Sequence, residues 1–357
     1  MKIKPMTKFA ILALSLVLVA CAGGGSEEAG CPAIDGREIN VVATTPMIGE
    51  FVSQVGGENI NLTVLMPPEA NPHTYEPAPQ DAGTIAEADL VFYTGLLYEP
   101  AALVKLLENS ACSTDILSEV GESVFPIEFK EGGHDDHDDH DDEEGHDDHD
   151  DEEGHDDEEG HDDEEGHDDE EGHDDHEGHN HGAYDPHFWF DPSRVAYAAE
   201  YIESRLIQFD PENESSYISS ADSFVSELND LTKQVSELIS TVPSQNRKLI
   251  TTHESLGYLE AKFGLEVLST IIPSLNSANE ISPSDLAGVI DVIEDNNVKV
   301  IFIESEAPSV YSETIVAETG IKPVTGLYVE TLKPGQSYSE FLISNVTLIT
   351  ENLQDTD

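Results

Sequence analysis

Residues Lys248–Glu254 read KLITTHE, an apolar and β-branched run that stops on a histidine and a carboxylate. Residues Val298–Glu304, VKVIFIE, repeat the arrangement, with the acid immediately after the run. Short β-branched runs of this kind read as strands. In open α/β sheets, ligands bind just past the carboxyl ends of strands. Outward from these two, EINVVAT (Glu38–Thr44), INLTVLM (Ile60–Met66) and LVFY (Leu90–Tyr93) are further strand candidates. Helical patterns such as Pro100–Leu107 lie between and after them. The alternation argues for βαβ units and mainly parallel sheets. The expected fold is α/β, with two lobes at 32–130 and 243–357.

The stretch 183–242 is expected to be a helical bridge between the lobes. Asp191-Pro192 is an N-cap followed by proline at the first helical position, and Val195, Ala198, Ile202 and Leu206 then share one face. In the next helix Tyr217, Ala221, Phe224, Leu228, Leu231, Val235 and Leu238 alternate steps of four and three, a seam for packing along the protein's own core. Pro243 closes it.

Segment 131–182 differs in kind. It holds no hydrophobic residue and carries thirty acids with neither Lys nor Arg. With nothing to bury against the entropy of folding, it is expected to be a disordered insert. It contains twelve of the fifteen histidines, at His134, His137, His140, His146, His149, His155, His161, His167, His173, His176, His179 and His181. Histidines mostly three or six apart among carboxylates form an auxiliary metal-binding tract. Binding there is expected to be weak and multiple, since each complex must order the chain.

The first residues, MKIKPMTKFAILALSLVLVAC, combine a basic start with a short apolar run. That is the layout of a signal peptide over 1–20. Cys21 is the expected lipidation site, followed by a linker over 21–31. About a dozen apolar residues are too few to span a hydrocarbon core of roughly 30 Å. The chain is therefore expected on the extracytoplasmic face of the cell membrane, in a periplasm or at a cell surface, tethered by lipid. In that oxidising setting Cys31 and Cys112 are a disulfide candidate, with two unpaired thiols the alternative. The formal net charge of −60 excludes nucleic acid as a partner and favours cations.

Outside the insert only His73, His187 and His253 remain. His253 follows a strand, His73 lies a few residues past one, and His187 precedes a capped helix. With Glu304, also at a strand end, three imidazoles and a carboxylate suit four-coordinate Zn²⁺. Each histidine taken alone is as readily a loop residue, and Pro72 and Pro186 can simply mark turns. A zinc hydrolase would need an open coordination position; no HExxH helix is present.

Four segments carry a family resemblance: NPHTYEP (71–77), DPHFWFDP (185–192), TTHESLGYLEAKFGL (251–265) and VIFIESEAP (300–308). They resemble, in order, the ligand-bearing segments of the metal-specific solute-binding lipoproteins of ABC importers, the zinc group above all. The likeness runs from about 36 to 353 and includes the His-rich insert. It implies two lobes joined by a long rigid helix, a metal in the cleft, no catalysis, a monomer, and delivery to an ABC transporter permease in the membrane. The implied ligands are His73, His187, His253 and Glu304, with Glu306 or water competing for the fourth place. Manganese-type relatives tend to carry a carboxylate where this chain has His253, so the implied cargo is Zn²⁺. Asp185 and Glu254 are candidates to orient imidazoles. The alternative function is an extracellular zinc buffer or cell-adhesion protein acting through the insert.

Overall fold

The computed structural model describes residues 31, 34, 36–129, 184–306 and 310–354. The expected signal peptide, Cys21 and the insert 131–182 with its twelve histidines lie outside the described residues.

The N-terminal lobe begins with β1 (Ile39–Ala43), α1 (Pro46–Gly56), β2 (Ile60–Val64), α2 (Pro79–Ala86), β3 (Leu90–Tyr93), α3 (Ala101–Ser110) and β4 (Leu117–Glu119). The four strands form one parallel sheet in the order β2-β1-β3-β4, with Val41 of β1 opposite both Leu62 and Leu90. β1 is buried nearly throughout, as expected of a central parallel strand covered on both faces. A disulfide links Cys31, ahead of β1, to Cys112, just past α3, with Cα atoms 5.1 Å apart.

Two helices follow, α4 (Pro192–Phe209) and α5 (Glu214–Ser240). Asp191 caps α4 by accepting from Ser193 N, with Pro192 in the first turn. The 27 residues of α5 reach about 40 Å, long enough to run beneath both lobes. Its buried seam is Tyr217, Ala221, Phe224, Leu228, Leu231, Val235 and Ile239. The strict heptad points to Leu238 as the last member; the helix buries Ile239 instead. A straight helix turns every 3.6 residues, so after three heptads the contact has slipped by one position.

The C-terminal lobe contains β5 (Lys248–His253), α6 (Gly257–Phe263), β6 (Glu266–Ile272), α7 (Pro283–Asn296), β7 (Val300–Glu304), α8 (Val310–Thr319), β8 (Lys322–Leu327) and α9 (Tyr338–Gln354). Its strands form two parallel pairs, β5–β6 and β7–β8. β5 and β7 lie side by side, with Glu304 N donating to Thr252 Oγ1. The architecture is the expected one, two α/β lobes with parallel sheets flanked by helices and a long connecting helix.

One hydrophobic core passes through both lobes and the bridge. Phe51 of α1 meets Phe188 and Phe224 at ring-centroid distances of 6.2 and 6.3 Å, and Tyr338 of α9 edge-on at 5.3 Å. A smaller apolar cluster sits within each lobe. The shared core pins the lobes together at their base, so the cleft between them is shaped by the loops above it. No helix among the described residues is long and apolar enough to cross a membrane.

Candidate metal centre

Each sequence-predicted histidine reaches the cleft by a different local device. Asn71 caps the short turn Pro72–Thr74, its side chain accepting from His73 N at 2.9 Å, and this aims His73 inward from the N-terminal lobe. Asp185 folds the bridge loop back on itself, because one oxygen accepts from both His187 N and His187 Nδ1 at 2.8 Å. Gly257 permits that fold: a Cβ there would stand 2.7 Å from Asp185 Oδ2. His253 ends β5, where its ring lies against the neighbouring strand end at Glu304.

The three rings converge. Their centroids are 5.3 Å apart for His187 and His253, 6.1 Å for His73 and His253, and 6.4 Å for His73 and His187. The carboxylate among them is Glu330. One ligand atom from each of His73, His187, His253 and Glu330 lies within 4.8 Å of all the others. Glu330 Oε1 is 3.1 Å from His73 Nε2 and 2.9 Å from His253 Nε2, while Oε2 is 3.5 Å from His187 Nε2. His187 Nε2 and His253 Nε2 are buried and make no hydrogen bond. Two buried ring nitrogens that face a common carboxylate without a hydrogen bond suit a cation set between them.

Glu304, the expected fourth ligand, stands elsewhere. Its Oε2 is 2.5 Å from His253 Nδ1 and its Oε1 accepts from His253 N at 3.2 Å, so it braces the back of the ring. The correction has a simple cause. Glu304 is the last residue of β7 beside the last residue of β5, and adjacent strand ends place the two side chains in direct contact. An ionised carboxylate only accepts, so in the neutral ring that a metal needs, Asp185 and Glu304 keep the proton on Nδ1 of His187 and His253 and leave each Nε2 facing the cleft. Glu306, the other candidate, accepts from Glu330 N at 3.3 Å and supports the Glu330 backbone. Glu254, proposed to orient an imidazole, instead accepts from Thr270 Oγ1.

Glu330 was missed by sequence reasoning. It sits three residues beyond β8, at a strand's carboxyl end like the others, but β8 reads KPVTGL. A proline and a glycine in six residues hide the strand. The segment is held from several sides. Trp189 Nε1 donates to Val329 O at 2.8 Å, and Asn345 Nδ2 donates to Tyr328 O. Tyr98 Oη donates to Glu330 Oε2 at 2.9 Å and to Glu330 O at 3.1 Å.

Tyr98 arrives on a contorted loop. Gly95, Leu96 and Leu97 all have positive φ, at 77°, 53° and 61°. A Cβ at Gly95 would collide with Glu119. Left-handed leucines cost on the order of 1–3 kcal/mol each, and hydrogen bonds from the backbone at Thr94, Gly95 and Leu96 fix the entry to the loop. Glu99 accepts from Thr94 N and Gly95 N, and Glu119 from Leu96 N.

The electrostatics fit a site built for a cation. Burial opposes the His187 imidazolium, yet the Glu330 charge and the Asp185 contact outweigh it and push its pKa up to about 9. His253 is likewise raised, burial being overcome by Glu304 and Glu330. Burial would raise the Glu330 carboxyl, but the three histidines hold it well below the usual range. Burial, with Glu330 and Glu304 nearby, pushes Glu306 up to about 8. The Tyr98 phenol is driven well above its ordinary value by burial and by Glu330, so it stays a donor.

Comparison with known proteins agrees with this geometry. Residues 41–352 match the family model described as zinc-uptake complex component A, periplasmic. The chain is 26% identical to the high-affinity zinc uptake system protein ZnuA of Bacillus subtilis, over 97% of this chain and 96% of that one. It is 25% identical to the manganese ABC transporter substrate-binding lipoprotein PsaA of Streptococcus anginosus, covering 98% and 99%. Among solved structures, the periplasmic zinc binding protein TroA of Treponema pallidum superposes with a TM-score of 0.69 at 19% identity, covering 88% of this chain and 99% of that one. Proteins of this kind carry a cargo and do not turn it over. The chain belongs to the ZnuA family of metal-binding ABC transporter substrate-binding proteins, capturing a divalent metal between its two lobes.

Proposed function

We propose that the cargo is Zn²⁺, held by His73, His187, His253 and Glu330 and handed to an ABC permease. The observation that carries this reading is the donor set, three imidazoles with one carboxylate. Manganese prefers oxygen donors, whereas an imidazole-rich set of four suits zinc. Relatives named for zinc and for manganese stand at 26% and 21–25% identity, so their names do not separate the two metals. In this reading the lobes 32–130 and 243–357 close on the ion across the bridge 183–242. Cys21 carries the lipid that keeps the protein at the membrane, and segment 131–182 is an accessory that gathers zinc near the cleft.

The test is zinc and manganese affinity by chelator competition. It compares the mature protein, a variant lacking 133–182, and the His73/His187/His253 triple alanine variant. One tight zinc site that survives the deletion and is lost in the triple variant supports the reading. Tight binding that leaves with the deleted segment makes the protein a zinc buffer or adhesin. Manganese held as tightly as zinc overturns the choice of metal.

A further inference from the structure

We propose that Tyr98 restricts Glu330 to a single metal-binding oxygen and thereby biases the cleft toward four-coordinate ions such as Zn²⁺ over Mn²⁺. The inference rests on the ligand set proposed above. Glu330 is the sole carboxylate in that set, and its two oxygens are not equivalent. Oε1 faces His73 Nε2 and His253 Nε2 at 3.1 and 2.9 Å. Oε2 is also near the centre, 3.5 Å from His187 Nε2. On position alone the carboxylate is able to offer both oxygens, raising the coordination number from four to five. Tyr98 Oη sits 2.9 Å from Oε2 and takes that oxygen as its acceptor. The same hydroxyl is 3.1 Å from Glu330 O, so its one proton is shared, with the carboxylate the nearer acceptor.

A hydrogen bond of this type occupies a lone pair and draws charge away from Oε2, leaving Oε1 the better donor. Zinc is satisfied at four ligands. Manganese favours more ligands, and oxygen ones, so it loses more by the withdrawal of Oε2. Tyr98 is almost wholly buried and its ring packs edge-on against His73, His187 and Trp189 at 5.2, 5.9 and 5.3 Å. It has no freedom to swing away. The phenol comes from the N-terminal lobe and Glu330 from the C-terminal lobe, so the restriction is imposed as the lobes close.

Tyr98→Phe removes the hydroxyl and keeps the ring; Tyr98→Leu removes the hydroxyl with a smaller side chain and serves if the first variant folds poorly. Both are measured for Zn²⁺ and Mn²⁺ affinity side by side, and for the visible absorption of bound Co²⁺, which is intense at four-coordinate sites and weakens as ligands are added. The expected result is a zinc-over-manganese preference reduced by roughly tenfold, within the range that outer partners of a metal site command, together with a weaker Co²⁺ band. Parallel loss of both metals with an unchanged Co²⁺ band means that Tyr98 is only packing, and overturns the proposal. Glu330→Gln, measured alongside, separates the two layers. If it leaves zinc affinity intact, the ligand set itself is wrong; if it abolishes tight binding while the Tyr98 variants keep their preference, only the role of Tyr98 fails.

Discussion

The two lobes bring unequal parts to the cleft. The C-terminal lobe, with the bridge, supplies His187, His253 and Glu330, and both of these histidines are braced from behind by carboxylates, Asp185 and Glu304. The N-terminal lobe supplies His73, aimed by a hydrogen bond from its backbone to Asn71. Its other contribution is Tyr98, which touches Glu330. Three ligands are therefore organised on one side, and the other side completes the set. The contrast teaches a division of labour: one lobe and the bridge supply three ligands with their braces, and the other lobe supplies the fourth.

The sharpest way to break this comparison is to remove a ligand from the organised side. His253→Ala or Glu330→Gln is expected to abolish tight binding in chelator competition, a loss larger than the roughly 10–100-fold that an outer partner commands. His73→Ala is expected to leave weaker binding by the remaining three, released markedly faster in stopped-flow chelation. Equal loss at His73 and His253 would mean that neither side is preorganised. Glu304→Gln and Asp185→Asn keep the ring contacts but weaken the brace, and each is expected to cost about 10–100-fold in affinity. Glu254→Gln, whose carboxylate meets Thr270 and no imidazole, is expected to leave affinity unchanged within error.

Proton linkage gives a gentler probe. In the metal-free protein His187 is raised from its unfolded value of 6.5 to about 9. A raised histidine contributes stability that is fully present below its unfolded pKa and lost as pH rises through the folded one. The metal-free protein should therefore lose stability between pH 6.5 and about 9, by an amount on the order of a few kcal/mol, read as a falling melting temperature. Metal needs the deprotonated ring, so affinity should climb over the same window, with protons released on binding. Calorimetry in buffers of different ionisation enthalpy reads that release directly. No proton release at pH 7 would show that the rings are already neutral.

Much of this was legible in the sequence, for physical reasons. β5 and β7 are unbroken runs of apolar and β-branched residues, so the positions of His253 and Glu304 at strand ends followed from pattern alone. The α5 seam was visible because seven apolar residues repeat at helical spacing. The strands β4, β6 and β8 were not identified: β4 is three residues long, and β8 carries Pro323 and Gly326. That last omission concealed Glu330. The role of Glu304 could not be read from position, because a strand end places a side chain at the cleft without saying which side of a neighbouring ring it meets. Asp185 was legible because it stands two residues before His187, a spacing that lets a short acid reach back to the following backbone.

One small feature bears on release. Asn71 Nδ2 donates across the cleft to Ser277 Oγ at 3.0 Å and to Glu306 O at 3.2 Å, from a position two residues before His73. With His73 only 3% exposed at its side chain and the other ligands fully covered, an ion has to wait for that latch to lift. If opening limits release, residence time measures the opening frequency of the protein more than the strength of any metal–nitrogen bond. A permease that pulls the Asn71 loop away from Ser277 would collect the ion without ever competing for it as a chelator.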